Sequence, residues 1–519
     1  MTFRITLTPS ERSFDVARDE PILNAAIRQG IGLPYGCKDG ACGSCKSRLL
    51  DGRVIHGAHQ EKALSAAEEA AGLILWGKLP QIFQAGVAVK ASTSLTLAAL
   101  VLATLSIKPA VAQLAAQPDL AVQRAAAAQK QPLLDTLKAL VSIETGSRDI
   151  EGIDQASELL AARLRELGGE VSFVQPSEAT TYRMGDTPET VGRMTKAVFK
   201  GQGSKKILLI AHMDTVYPKG MLTKQSFRIE GDRAYGLGIA DDKQGVAMIV
   251  HLIAVLKDLK FNEYGTLTVL INSDEEISSP GSRAALTEAG AQHDAVLSFE
   301  ATRVNADKLS LATSGIAAVY IKVEGRASHA GAAPERGVNA LYELSHQILQ
   351  MRDLSEPQVG LKLNWTVSQA GTNRNVIPAH ATAQADVRVL RVEDYDRIEA
   401  TVRKRALTQL LPESKVNIDF ERRRPPLEAT AANRKLAAHA QKIYAEIGRR
   451  LIVDDQPEGG GTDAAFAALK SKAPVIERFG LPGFGAHTAD AEWVAIDAIE
   501  PRLYLAARVI MDVARGKGL

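Results

Sequence analysis

Five short stretches of the 519-residue sequence hold side chains that could do chemistry together. "LIAHMDTV" carries His212 and Asp214, and "GLGIADDKQG" carries Asp241 and Asp242. "LINSDEEISSPGSR" carries Glu275 and Glu276, "LSFEAT" carries Glu300, and "GLPGFGAHTAD" carries His487. Imidazole nitrogen and carboxylate oxygen are donors that suit zinc where no thiolate is at hand. The chain has three cysteines, and none lies after Cys45. Two zinc ions a few Å apart need one shared carboxylate and about two more ligands each. His212, Asp241, Glu276, Glu300 and His487 suffice if Asp241 bridges. Glu275, adjacent but outside that set, is then free to act as general base toward water on the metal. Asp214, two residues past His212, is placed to orient the imidazole.

Taken singly, each residue has a plainer reading. A loop Asp or Glu is ordinarily solvated or caps a helix, and Glu275 with Glu276 would serve as a helix N-terminus. His251 lies in an apolar helix and reads as a core histidine. His56, His59, His293, His346 and His439 have no acidic neighbours at a strand end. It is the recurrence of the clusters at successive strand ends that marks a site.

The elements that must position them read as α/β. Leu133, Leu134, Leu137, Leu140 and Val141 recur at helical spacing. So do Leu159, Leu160, Leu164 and Leu167, and that helix should stop at Gly168 and Gly169. "KILLIA" (206–211), "TLTVLIN" (266–272) and "AVLSFE" (295–300) are near-continuous apolar strands, with the long apolar helix "GVAMIVHLIAVLKDL" between the first two. Such strands imply a sheet covered on both faces, and ligands bind beyond its C-terminal strand ends. From about residue 314 the order becomes β-α-β-β-α-β, a ferredoxin-like α/β sandwich. Helices return after about 424. The expected catalytic domain is therefore 126–313 plus 425–519, interrupted by a smaller domain at 314–424.

The first 112 residues read differently. Cys37, Cys42 and Cys45 have the spacing C-x4-C-x2-C of a [2Fe–2S] ligand run, which needs a fourth thiolate. "PILNAAIRQGIGLPYGCKDGACGSC" and "GLIL" resemble the ferredoxin module that precedes many bacterial flavin reductases. In that module the fourth cysteine directly follows the segment equivalent to "GLIL", where this chain has Trp76 and Gly77. The expectation for 1–77 is a truncated module holding no complete cluster. Residues 78–112 read as a signal peptide or anchor: Lys90, an apolar run at 95–107, then Ala110, Val111 and Ala112 before Gln113. The run is short for a membrane span, which needs about 20 residues. Translation starting near Val87 or Val89 would make it N-terminal, and the product periplasmic or secreted. Left uncleaved, it would be a membrane anchor.

From about Leu133 to Leu519 the chain resembles the dinuclear zinc exopeptidases that include aminoacylases, desuccinylases and glutamate carboxypeptidases. The carboxypeptidase G type is the most similar. "HMDTVYPKG", "AYGLGIADDK", "SDEE", "LSFE", "KLSLATSGIA", "ASHAGAAPERGVNAL", "NWTV", "GGGTDAA" and "GLPGFGAH" carry the resemblance. It implies His212, Asp241 and Glu300 on one zinc, and Asp241, Glu276 and His487 on the other. It further implies Glu275 as base, Asp214 as the orienting residue and a cis peptide after Asp241. His329, in "ASHAG", would stabilise the oxyanion across a dimer interface. Lys308, Ser310, Asn375 and Arg388 match positions that bind a C-terminal glutamate.

The expected function is a zinc-dependent carboxypeptidase acting on folate-type or other acyl-glutamates, as a homodimer. An aminoacylase or dipeptidase of the same family is the alternative, and a [2Fe–2S] electron-transfer protein is the alternative of another class. A net charge of +2 gives no reason to expect a nucleic-acid partner.

Overall fold

The computed structural model describes residues 2–8, 12–17, 22–31, 46–49, 54–55, 73–75, 81–82, 87–90 and 117–519, the last without 305, 458 and 489. Cys37, Cys42 and Cys45, the apolar run 95–107 and the cleavage motif 110–112 lie outside the described residues. The chain divides into two units, 1–113 and 114–519.

The second unit is built on a six-stranded sheet. Its order is Val475–Ile476, Ala295–Ser298, Lys206–His212, Thr266–Asn272, Met194–Lys200, Glu170–Val174. The first four strands run parallel, and the last two are antiparallel additions. In Lys206–His212 every residue after Lys206 is buried, because both faces are covered. Ile207, Leu209 and Ala211 join a core with helices Gln244–Asp258 and Ile499–Ala514. Leu208 and Ile210 face the opposite way, toward Leu286 and Phe466 of helices Arg283–Gln292 and Ala464–Ala468. The parallel register sets His212 beside Asn272 and Ile210 beside Ser298. Whatever follows these three strands therefore emerges at one edge.

Helix Ile150–Glu166 shows how local signals fix an element. The Asp149 carboxylate accepts the Gly152 N–H at its start. It ends where Gly168 takes φ +99° and Gly169 donates to the Leu164 carbonyl. A second sheet orders Arg228–Glu230, Arg233–Tyr235, Trp493–Ala495, Pro482–Phe484 and Thr302–Arg303.

Residues 315–424 form their own antiparallel sheet, ordered Lys362–Ala370, His380–Val389, Gly315–Glu324, Lys415–Arg424. Helices Ala340–Gln350 and Glu393–Ala406 cover one face, packing on Ala317, Val319, Ile321, Ala383, Ala385 and Val387. The alternation in "AHATAQADVRV" thus leaves Gln384, Asp386 and Arg388 on the other face. The class is α/β with the β-α-β-β-α-β insertion that the sequence implied.

In the first unit, a five-stranded sheet orders Ser13–Ala17, Thr2–Thr8, Val87–Lys90, Lys46–Leu49, Leu73–Leu75. Val87–Lys90 pairs in parallel with Thr2–Thr8 and antiparallel with Lys46–Leu49. The sheet therefore extends past residue 77 into the stretch read as a signal or anchor segment. The boundary expected at 77 rests on where the ferredoxin resemblance ends, at Trp76 and Gly77, and local sequence cannot reveal that Val87–Lys90 pairs with Thr2–Thr8.

Candidate metal centre and its surroundings

The five clusters meet at the C-terminal edge of the parallel strands. His212 closes its strand, and Glu300 lies two residues past Ser298. Glu275 and Glu276 open a short helical turn, Glu275–Ile277, after Asn272. Asp241 comes from the irregular turn that leads into helix Gln244–Asp258, and its peptide bond to Asp242 is cis. His487 follows strand Pro482–Phe484 of the second sheet, in a left-handed conformation with φ +64°.

Asp241 faces both histidines. Its Oδ1 is 3.0 Å from His212 Nε2, and its Oδ2 is 3.3 Å from His487 Nε2. Glu300 Oε1 lies 3.4 Å from His212 Nε2, and Glu276 Oε2 lies 3.2 Å from His487 Nε2. Two ligand sets result, His212–Asp241–Glu300 and Asp241–Glu276–His487, each with donor atoms within 4.8 Å of one another. They share Asp241, one oxygen to each set.

The electrostatics call for cations at these two points. Hydrogen bonds to Asp241 and Glu276 push His487 up to about 11. Burial alone would depress His212, but bonds to Asp214, Asp241 and Glu300 raise it well above the usual imidazole value. Burial pushes Glu276 up to about 7. It pushes Asp241 up as well, yet the two imidazoles outweigh burial and hold that carboxyl below the normal range. Glu276 Oε1 is buried with no hydrogen-bond partner. Three buried or half-buried carboxylates around two imidazoles, one oxygen of them orphaned, are what a metal pair with N and O ligands would satisfy. The residues fit such a pair.

Around the ligands the structure adds partners. His212 Nδ1 donates to the Asp214 carbonyl at 3.1 Å and lies 3.4 Å from its carboxylate. That leaves Nε2 turned to the ligand set. The Asp214 carboxylate mainly holds something else: it accepts the N–H groups of Glu275 and Glu276 at 3.0 and 3.1 Å, and the Ser147 hydroxyl at 2.7 Å. Asp214 thus ties the turn bearing the base candidate to the strand bearing His212. Glu275 lies outside both ligand sets. Its Oε1 is 2.6 Å from Arg424 Nη1, and Arg424 Nη2 donates to its carbonyl. Burial pushes the Glu275 carboxyl well up, against the opposing pull of Arg424. Asp463 is the second carboxylate on Arg424, at 3.1 Å, and is held by Asn272 Nδ2.

The substrate candidates fall into three places. Lys308 and Ser310 are buried in a short strand paired with Ile452–Asp454, and Lys308 Nζ is 3.1 Å from Asp454. Arg388 forms a bidentate pair with Asp386 at 2.9 and 3.0 Å, and its Nη1 donates to the Gly459 carbonyl. Across the sheet Arg388 and Arg424 both pair with Ile316 on the middle strand. The two guanidinium stems therefore leave the same sheet face two strands apart, roughly 10 Å. His329 and Asn375 lie elsewhere, on two exposed, adjoining loops of the smaller domain, with the Ala330 N–H donating to the Asn375 carbonyl. The N–H groups of Gly331 and Ala332 both donate to His329 Nδ1. A neutral His329 ring therefore carries its proton on Nε2, as a donor turned away from its own loop. Leu237, four residues before Asp241, is buried. His251 is a buried core histidine between Thr136 and Gln129.

Residues 208–512 match Peptidase family M20/M25/M40. The chain belongs to this family. Residues 5–75 match the 2Fe-2S iron-sulfur cluster binding domain. Carboxypeptidase G2 of Pseudomonas sp. (strain RS-16) is 48% identical over 404 residues, which is 78% of this chain and 94% of that protein. Acetylornithine deacetylase of Photorhabdus laumondii is 27% identical over 279 residues, 50% of this chain and 68% of that one. The aminopeptidase PepT of Bacillus cereus superposes with a TM-score of 0.62 at 22% identity, over 74% of this chain and 99% of that one, a likeness of fold. As an M20-family peptidase, the chain is a metal-dependent hydrolase.

Sequence reasoning assigned no role to Arg424, Asp463, Ser147 or Glu492. Arg424 stands in a run of three arginines, and only packing shows which one is buried on Glu275. Glu492 accepts the N–H groups of Gly238, Ala240 and Asp241 and the hydroxyl of Tyr217. It lies five residues past His487, and nothing in the local sequence sets it apart.

Proposed function

We propose that this peptidase is a zinc-dependent carboxypeptidase that releases a C-terminal glutamate from acyl- or peptidyl-glutamates, folate-type compounds among them. The shared Asp241 carboxylate, with one oxygen to each ligand set and Glu275 beside them, carries the reading. His and carboxylate donors favour zinc in both positions. Bound zinc would polarise the scissile carbonyl and lower the pKa of an attacking water. Glu275, outside both ligand sets, would take a proton from the attacking water and pass it to the leaving amine. Asp214 holds Glu275 and Glu276 by their N–H groups while it orients His212.

The glutamate preference is supported by the relation to carboxypeptidase G2 and by the residue types at Lys308, Ser310, Asn375 and Arg388. Arg388 pairs with Asp386 through one edge of its guanidinium, so a substrate carboxylate would meet the remaining N–H groups or displace Asp386. A substrate panel of N-acyl amino acids, scored for free amino acid released, tests this. Glutamate should lead; equal release of alanine or ornithine would refute the preference. The acetylornithine deacetylase likeness favours the second reading, an aminoacylase with the same metal pair, which that outcome would support.

A homodimer is supported by two features of the smaller domain. Among the described residues, strand Lys362–Ala370 is an edge strand of its sheet, with Val367 exposed. Helix Ala340–Gln350 exposes Leu341, Tyr342 and Leu349. Pairing there would let His329 and Asn375 serve the partner's site, with the His329 N–H as oxyanion donor. Sedimentation of wild type and Tyr342→Asp tests it: a monomeric wild type removes the dimer. Export, with cleavage before Gln113, is supported by the composition of 90–112. N-terminal sequencing should return Gln113 or a near neighbour, and Thr2 would refute it. Three cysteines in the whole chain support a protein with zinc and no complete [2Fe–2S] cluster. Stoichiometric iron and sulfide would overturn that.

A further inference from the structure

The turn that presents Asp241 has to be held without secondary structure. Asp241 and Asp242 have non-helical backbone angles inside it, at φ −127° and −131°. The turn is packed into the protein, with Leu237, Ile239, Ala240 and Asp242 all buried. Its amide N–H groups therefore need acceptors other than water. A single side chain supplies three. Glu492 Oε1 accepts from Ala240 at 2.8 Å and from Asp241 at 3.0 Å, and Oε2 accepts from Gly238 at 2.9 Å. Tyr217 adds its hydroxyl to Oε2 at 2.6 Å. The Glu492 carbonyl also accepts the Gly236 N–H. Glu492 is completely buried.

Its position in the second sheet explains the reach. Strand Trp493–Ala495 begins directly after Glu492 and pairs on one side with Arg233–Tyr235, the strand that feeds the Asp241 turn. On the other side it pairs with Pro482–Phe484, the strand that feeds His487. Gly485, between that strand and His487, has φ +80°, and a Cβ there would stand 2.5 Å from the Ala491 carbonyl oxygen. Gly485 thus lies close against Ala491, the residue before Glu492. One carboxylate sits where the supports of the shared ligand and of the second histidine converge.

We infer that Glu492 is a positioning residue for the metal pair: it fixes the Asp241 turn against the His487 return, so that Asp241 can offer one oxygen to each ligand set. The inference rests on the metal-pair reading. The Glu492 carboxylate bonds to backbone N–H groups of the turn and to Tyr217, so it acts through Asp241. Supports of this kind typically carry 10- to 100-fold in metal affinity.

Zinc titration of the full chain, stripped with a chelator and competed against a chromophoric zinc indicator, tests it. Glu492→Gln keeps the shape but sets an NH2 group against at least one donor of the turn. It should weaken zinc binding about 10- to 100-fold, with substrate KM unmoved at saturating zinc. A folded Glu492→Gln variant with wild-type zinc affinity overturns the inference, whatever its melting temperature. Should that variant not fold, Tyr217→Phe decides. It removes one of the four bonds to the Glu492 carboxylate and should weaken zinc about tenfold, the low end of such support effects; unchanged affinity overturns the inference. A wild-type chain that takes up fewer than two zinc ions overturns the metal-pair reading, and this inference with it.

Discussion

Replacing Glu275 by Gln is the sharpest probe of how this site works. The side chain lies outside both ligand sets, so the donor atoms on His212, Asp241, Glu276, Glu300 and His487 are untouched. The backbone N–H of residue 275 still donates to Asp214, which keeps the turn in place. Arg424 is not stranded either. It retains Asp463 at 3.1 Å and the residue 275 carbonyl at 2.6 Å, and the new amide oxygen can accept from Nη1. A charge-assisted bond becomes a neutral one, while a buried charge is removed. Folding free energy should move by less than about 2 kcal/mol. What disappears is the ability to accept a proton. General acid–base groups contribute about 10²–10⁴ in rate, or about 2.7–5.4 kcal/mol of barrier at 1.36 kcal/mol per decade. The assay measures kcat/KM on an acyl-glutamate, zinc per chain by elemental analysis, and melting temperature. Two zinc ions per chain with kcat/KM down at least 100-fold is the expected result. A variant that holds both ions and keeps more than a tenth of wild-type kcat/KM would show that another group takes the proton. Glu276→Gln gives the contrast, because it removes a proposed ligand and should lower zinc content as well as turnover.

Other perturbations separate the remaining roles. Arg388→Ala should cost on the order of 30- to several-thousand-fold in kcat/KM on glutamate substrates, from about 2–5 kcal/mol of lost charge pairing. Its half-exposed pair with Asp386 should contribute less than about 1 kcal/mol to stability. No loss on acyl-glutamate or acyl-alanine would remove Arg388 from the site. Asp214→Asn must set an NH2 group against an N–H of Glu275 or Glu276, and zinc affinity should fall about 10- to 100-fold; an unchanged titration refutes the orienting role. Burial holds His251 down at about 4, below its unfolded value, so the unfolded chain takes up a proton that the folded one refuses as pH falls. Stability from this residue is complete above about pH 6.5 and is lost toward pH 4, about 2 kcal/mol of it between pH 7 and 5. Denaturant titrations of wild type and His251→Asn at both pH values check this, and equal pH slopes would be the contrary result. A chain beginning at Leu114 contains every proposed ligand and substrate residue and should match the full chain in kcat/KM; an inactive but zinc-loaded product would assign a role to the first unit.

Much of the fold and of the candidate ligand set was legible because the determining signals are local. "KILLIA", "TLTVLIN" and "AVLS" are strands by their own apolar runs, and the ligands follow them within a few residues. Parallel strands bring their ends to one edge, so five acidic or imidazole clusters could be read as one site before any contact was seen. The alternating strand His380–Val389 likewise announced which side chains leave the sheet together. Strands Glu170–Val174 and Met194–Lys200 were not legible. They are antiparallel additions to the sheet without a strong period of their own, and pairing with Thr266–Asn272 stabilises them.

The sequence by itself therefore determined the α/β class, the metal-binding chemistry and the residues able to carry it. Tertiary structure alone decided the partners that tune them. Glu492 meets Gly238 across 254 residues, and Arg424 meets Glu275 across 149. Lys308 meets Asp454 across 146. Separations of that size leave no periodic or spacing signal, because a buried carboxylate or guanidinium finds its counterpart only when packing excludes water and every other acceptor. Asp241 bridges the two ligand sets for the same reason: the second sheet brings the His487 return against the Asp241 turn.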